Sequence, residues 1–277
     1  MKPQRNRMVN EWDAAHYQDP NYVPADPEKA RLVLKLGMMI TDRYLVKYTR
    51  SMNYTDPEYW MLDEVLTKEE VKFLLSFRKT RVNYDMEKLA EINGMTMEDT
   101  EKMVKHLLWV GMLESNRETP DKHMVYDVPI FVPGAAEFMV MNTELIKEHP
   151  ALATFFNLMT QMPLENVTPM IPPGGAGVGM HVIPVEKAIG HESHSADVEH
   201  ISHWLDVYDK YSVGICTCRR QQTMRGEGSG EIEGEFCLTV CQFYRKFIPG
   251  DILYGDGDVC RTFEHCFKGI LLLQRQK

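Results

Sequence analysis

The stretch from Tyr211 to Cys241, YSVGICTCRRQQTMRGEGSGEIEGEFCLTVC, constrains this chain more than any other. It carries four of the six cysteines, Cys216, Cys218, Cys237 and Cys241, and the adjacent pair Arg219 and Arg220. Gly226, Gly228, Gly230 and Gly234 punctuate a charged run between the two halves. Cysteines two apart in a tight loop can turn both sulfurs toward one centre, and a spacing of four fits one face of a helical turn. Clustered thiols in a chain without secretion signals point first to a metal or redox site.

Three readings of these cysteines stay open on spacing alone: an iron–sulfur site, a zinc site, and ordinary reduced thiols. Structural zinc generally uses C-x-x-C knuckles or cysteines followed by spaced histidines, and no C-x-x-C occurs here. A C-x-C followed by arginine suits an anionic cluster better, because guanidinium and backbone N–H groups stabilise its charge. Glycine-rich backbone can approach the sulfurs and donate hydrogen bonds that tune the potential.

The segments IPVEKAI at 183–189, YSVGICTCRR at 211–220, GEGSG at 226–230 and FCL at 236–238 resemble a family of anaerobe-type iron–sulfur proteins. Its members carry a C-x-C-R cluster loop, often behind a winged-helix-like module. In longer members, FAD- and NAD(P)-dependent domains of the pyridine nucleotide-disulfide oxidoreductase type follow. The resemblance covers roughly 65 to 240. It implies a 4Fe-4S cluster held by Cys216, Cys218 and Cys237, with Cys241 or Ser229 completing the set and Arg219 and Arg220 supplying positive potential. Ser229 stands where the family has its third cysteine, and an alkoxide is a poor substitute for a thiolate. Either Cys241 serves as the fourth ligand, or the cluster is labile, or this copy has lost it. After Cys241 the family pattern stops, as a truncated or frameshifted chain would.

The rest of the sequence bounds this reading. With 277 residues, 44% hydrophobic and 26% charged, the chain is long enough for one large or two small cores. A net charge of −9 argues against general affinity for nucleic acid or anionic membrane. No apolar run is long enough to span a membrane, and the N-terminus has no signal-peptide h-region, so a cytoplasmic location is expected.

Along the chain, residues 1–66 read as an extended arm followed by helices, with helix starts at Asp26-Pro27-Glu28 and Asp56-Pro57-Glu58. Residues 67–150 read as the winged-helix-like domain. Thr67 and Glu70 form a capping box before the first helix, a second helix spans 85–93 and stops at Gly94, and a third runs from Thr96 to Gly111. LESNRETPDKHMVYDV then reads as strand, turn, strand. Across 67–128, ten Lys and Arg stand against twelve Asp and Glu, and Glu98, Asp99 and Glu101 crowd the start of the third helix. That charge faces a polyanion badly, which disfavours DNA binding. Residues 129–150 read as a strand and helix, and 151–162 as a short apolar helix.

Residues 170–245 form the expected iron–sulfur domain and 246–277 a divergent tail. The glycines at 174, 175, 177 and 179 lack the strand and helix start of a nucleotide loop, so they read as a linker. His191, His194, His200 and His203, on or near a helix, read as surface histidines with metal ligation as the lesser alternative. The same holds for Cys260, His265 and Cys266. The expected fold class is therefore α+β, a helical and winged-helix N-terminal part before a small iron–sulfur domain. The expected function is electron transfer to or from a flavoprotein or other redox partner, with FAD and NAD(P) bound only by that partner or a missing domain. The alternatives are a redox-sensing winged-helix regulator and a zinc-stabilised remnant without redox activity. A homo-oligomer is left open.

Overall fold

A computed structural model of the chain describes residues 19, 21–118, 123–160, 211–227 and 236–240. These residues are mostly helical, with small antiparallel strand pairs, an α+β arrangement at the coarse level. Among the described residues no helix is long and apolar enough to cross a membrane.

Local capping chemistry sets the first elements. Helix α1 (Pro27–Ile40) starts where the Asp26 side chain accepts from the Glu28 and Lys29 amides, with proline in the first turn. Its buried stripe is Ala30, Val33, Leu36, Gly37 and Ile40. The short α2 (Tyr44–Thr49) ends at Arg50 in a left-handed conformation. Helix α3 (Pro57–Val65) begins as expected after Asp56, but Asp56 does not cap it. Its carboxylate instead accepts from the Asn53 amide at 2.6 Å and from Arg43 at 2.6 Å.

Arg43 also donates from Nε to Glu58 Oε1 at 2.6 Å and from Nη2 to Oε2 at 2.9 Å. Glu58 is fully buried and also accepts from the Thr41 hydroxyl at 2.8 Å. A buried carboxylate persists only when paired and hydrogen-bonded. The Arg43 fork meets that need and ties the turn after α1 to the start of α3.

Helix α4 (Lys68–Leu75) opens with the full capping box between Thr67 and Glu70. Helix α5 (Met86–Asn93) is capped by Asp85 and ends at the left-handed Gly94, and α6 (Met97–Val110) is capped by Thr96 and ends at the left-handed Gly111. Strands β1 (Glu114–Glu118) and β2 (Met124–Asp127) form an antiparallel pair whose register shifts between Glu114 and Arg117. Tyr84, just before α5, bridges to Tyr126 on β2 through two backbone bonds of 3.0 and 2.8 Å. The order across this region is thus helix, bridge, helix, helix and two-stranded hairpin. His106 on α6 reaches back to Glu70 on α4 at 3.0 Å.

Residues 129–150 depart from the expected strand and helix. Phe131–Ala135 forms one π-helical turn that runs straight into α7 (Ala136–Met141), followed by α8 (Thr143–Glu148). Pro133 and Gly134 cannot sustain a paired strand here, and the Gly134 amide is taken up by the Glu137 carboxylate one turn on, at 2.8 Å. Helix α9 (Ala151–Thr160) matches the expected apolar helix.

One continuous core joins these pieces, from Ala30 on α1 to Met159 on α9. Helix α9 packs against α3, where Trp60 stacks on Phe155 with centroids 6.4 Å apart. Tyr22, Tyr54, Tyr59 and Trp60 extend this contact into an edge-to-face aromatic cluster. The described residues of 1–66 and 67–150 and the apolar helix therefore share their buried surface. The remaining described elements are strand β3 (Tyr211–Ile215), helix α10 (Thr217–Met224) and strand β4 (Phe236–Val240). The expected strand before 186, the histidine-bearing helix, Ser229, Cys241 and the tail with Cys260, His265 and Cys266 lie outside the described residues.

Candidate functional site

Cys216 occupies the N-cap of α10, at φ −69° and ψ 111°, directly where β3 ends. Cys218 is the second residue of the helix. Both are free; Cys216 is half-buried and Cys218 exposed. Strand β4 runs antiparallel to β3 and pairs Cys237 with Gly214. The backbone of Cys237 thus lies one strand spacing from β3 and two residues short of Cys216, on the order of 8 Å from it at the Cα level.

The thiol pair is built on the flank of the helical core. On α10, Thr217, Arg220 and Gln221 are buried, and Met224 packs against the core. The Arg220 guanidinium donates to the carbonyls of Val140 at 3.1 Å and Met141 at 2.7 Å, and to the Thr143 hydroxyl at 3.0 Å. These carbonyls belong to the last turn of α7, which has no intrahelical partners and presents partial negative charge. Toward α9, Gln222 donates to Asn157 at 3.3 Å and Arg225 to Thr154 at 3.3 Å.

The two arginines expected to supply positive potential near the thiols therefore separate. Arg219 is exposed at the first turn of α10, while the Arg220 side chain reaches to α7 and acts as an anchor.

A carboxyl that sequence reasoning passed over belongs to this site. Glu137 titrates high, pushed up to about 7 by lost hydration despite the Gly134 amide it accepts. The Cys218 thiol is itself pushed up, first by lost hydration and then by the neighbouring Cys216 and Glu137. The sequence signal for Glu137 was one charged residue in the otherwise apolar run from Pro129 to Met141.

Cys216 and Cys218 supply soft donors of the kind an iron–sulfur cluster or a thiophilic metal takes, and to that extent the residues fit the implied cofactor. Among the described residues no three or more His, Cys, Asp or Glu side chains converge in a metal-holding group.

The face of α6 expected to read poorly as a DNA surface has its lysines paired on the helix itself. Glu98 accepts from Lys102 at 2.7 Å and Glu101 from Lys105 at 2.8 Å.

Comparison with protein-family models, with curated proteins and with solved structures finds no match for this chain.

Proposed function

We propose that this chain is the iron–sulfur electron-transfer module of a flavin-dependent oxidoreductase system. The observation that carries the reading is the thiol pair Cys216 and Cys218 at the start of α10, with Cys237 on the strand paired to β3. Cys216, Cys218 and Cys237 would hold a cluster, completed by Cys241 or Ser229. When bound, such a cluster accepts and donates single electrons. The chain's own residues hold the thiols at the edge of the helical core, and Arg220 fastens their helix to α7. FAD and NAD(P) would belong to a partner flavoprotein or to a further domain.

In this reading, residues 67–128 are a winged-helix-like docking module. The helix, bridge, helix, helix and hairpin order supports it. The intrahelical pairing of Lys102 and Lys105 favours a protein-facing role over a DNA-facing one.

The test is iron and acid-labile sulfide analysis on protein purified without oxygen. Iron and sulfide in near-equal amounts are expected, with visible absorbance lost in Cys218→Ser. Zinc without sulfide, or neither metal, overturns the reading. A gel-shift with salt titration separates it from a DNA-binding regulator, for which salt-sensitive retention is the expected result.

A further inference from the structure

Cys216 and Cys218 are built as a pair in a more specific sense than proximity in sequence. Thr217 between them is the first residue of α10. The helical conformation of that one residue sets the separation of its two neighbours. Two steps along an α-helix of radius about 2.3 Å and rise about 1.5 Å place Cα atoms roughly 5.4 Å apart. Disulfides span Cα separations of about 4.4–6.8 Å, with most near 5.5–6 Å.

At φ −69° and ψ 111°, Cys216 has left the helical backbone, and its side chain makes no cap bond to the helix amides, so they do not hold its sulfur. The far side of α10 is fastened independently, by Arg220 to α7 and by Gln222 and Arg225 to α9. A bond made or broken in the first turn therefore leaves the helix docked.

We propose that Cys216 and Cys218, when they hold no metal, are a redox-active dithiol that closes reversibly to an intramolecular disulfide by exchange with small-molecule disulfides. The Cys218 sulfur attacks one sulfur of the disulfide, forms a mixed disulfide and releases one thiol. The Cys216 sulfur then attacks the Cys218 sulfur, the Cys216–Cys218 bond forms, and the second thiol leaves. The two protein protons depart on the two released thiols. The protein pair loses two electrons and the small disulfide gains them. The closed form has no thiolate to offer a metal, so disulfide and metal occupancy exclude each other. This activity goes beyond electron transfer through a cluster and stands whether or not the pair also holds one.

The experiment uses the full chain, stripped with a chelator, reduced, and exposed to excess glutathione disulfide without oxygen. Free thiols are then blocked with iodoacetamide. Trypsin releases Tyr211–Arg219, YSVGICTCR, whose cysteines are only this pair. The expected product is that peptide two hydrogens lighter and unalkylated, converted to the doubly alkylated form by prior dithiothreitol. A peptide carrying glutathione on one or both cysteines, or one still doubly alkylated, overturns the proposal. In a glutathione redox buffer the folded protein should favour closure at least several-fold over the same chain in urea. Equal values would show that the fold does not build the pair, which overturns the proposal as well. Iron and sulfide content is measured separately on untreated protein, so failure of either reading is visible without the other.

Discussion

The Arg220 guanidinium and the Met141 carbonyl lie 2.7 Å apart, and this bond joins the thiol-bearing helix to the last turn of α7 across 79 residues of chain. With the Val140 carbonyl and the Thr143 hydroxyl also accepting, the fork satisfies carbonyls at the end of α7 that have no partner within the helix. Arg220→Ala should cost about 2–3 kcal/mol in urea unfolding. Hydrogen exchange should show protection lost over residues 217–224. Arg220→Lys should recover only part, because an ammonium cannot reproduce the planar fork. Full protection of α10 in Arg220→Ala would show that packing alone holds it.

Arg43 and Glu58 form a buried charge contact. Removing the cation strands a carboxylate with no exposure to water. Arg43→Ala should cost about 3–5 kcal/mol, and adding Glu58→Gln should return part of that loss, since the neutral amide tolerates burial better. A single-variant cost below about 1 kcal/mol would contradict the pairing.

Glu137 predicts a pH dependence of stability. Its usual value of 4.5 is raised to about 7 in the fold, so the native state favours the protonated form. That contribution is full below pH 4.5, falls as the pH rises through 7, and is gone above it. Glu137→Gln keeps an acceptor for the Gly134 amide and removes the charge. The variant should gain about 1–3 kcal/mol on the wild type at pH 8 and match it near pH 4.5. Urea midpoints at the two pH values check this; a gain of equal size at both would assign the effect to packing.

Gly94 and Gly111 both end helices at positive φ, 62° and 88°, but their surroundings differ. A Cβ at Gly94 meets nothing within 4 Å, whereas at Gly111 it would stand 2.6 Å from the Phe138 Cβ. Gly94→Ala should cost about 1 kcal/mol from backbone strain alone. Gly111→Ala should cost about 3 kcal/mol or more, because α7 must shift as well. Thermal unfolding of the two variants side by side measures the difference.

The helix starts of α1, α4, α5 and α6 and the stops of α5 and α6 were legible in the sequence, because each depends on groups within about four residues. Asp26, Thr67, Asp85 and Thr96 meet amides two or three residues on, and Gly94 and Gly111 close their own last turns. The pairing of β1 and β2 was readable for the same reason, since the turn-forming residues Thr119, Pro120 and Asp121 stand between them in the sequence. The thiol pair itself was plain in the spacing of Cys216 and Cys218. What surrounds it was decided by tertiary structure. Arg220 looks from sequence like a companion of the cysteines, but the carbonyls it serves are 79 and 80 positions away. Glu58 reads as an ordinary first-turn acid until Thr41 and Arg43 close over it. Glu137 becomes a high-titrating neighbour of Cys218 only because α7 and α10 pack together. Periodicity and capping carry local energies along the chain, whereas desolvation and long-range pairing depend on which segments meet, and no short window of sequence holds that information.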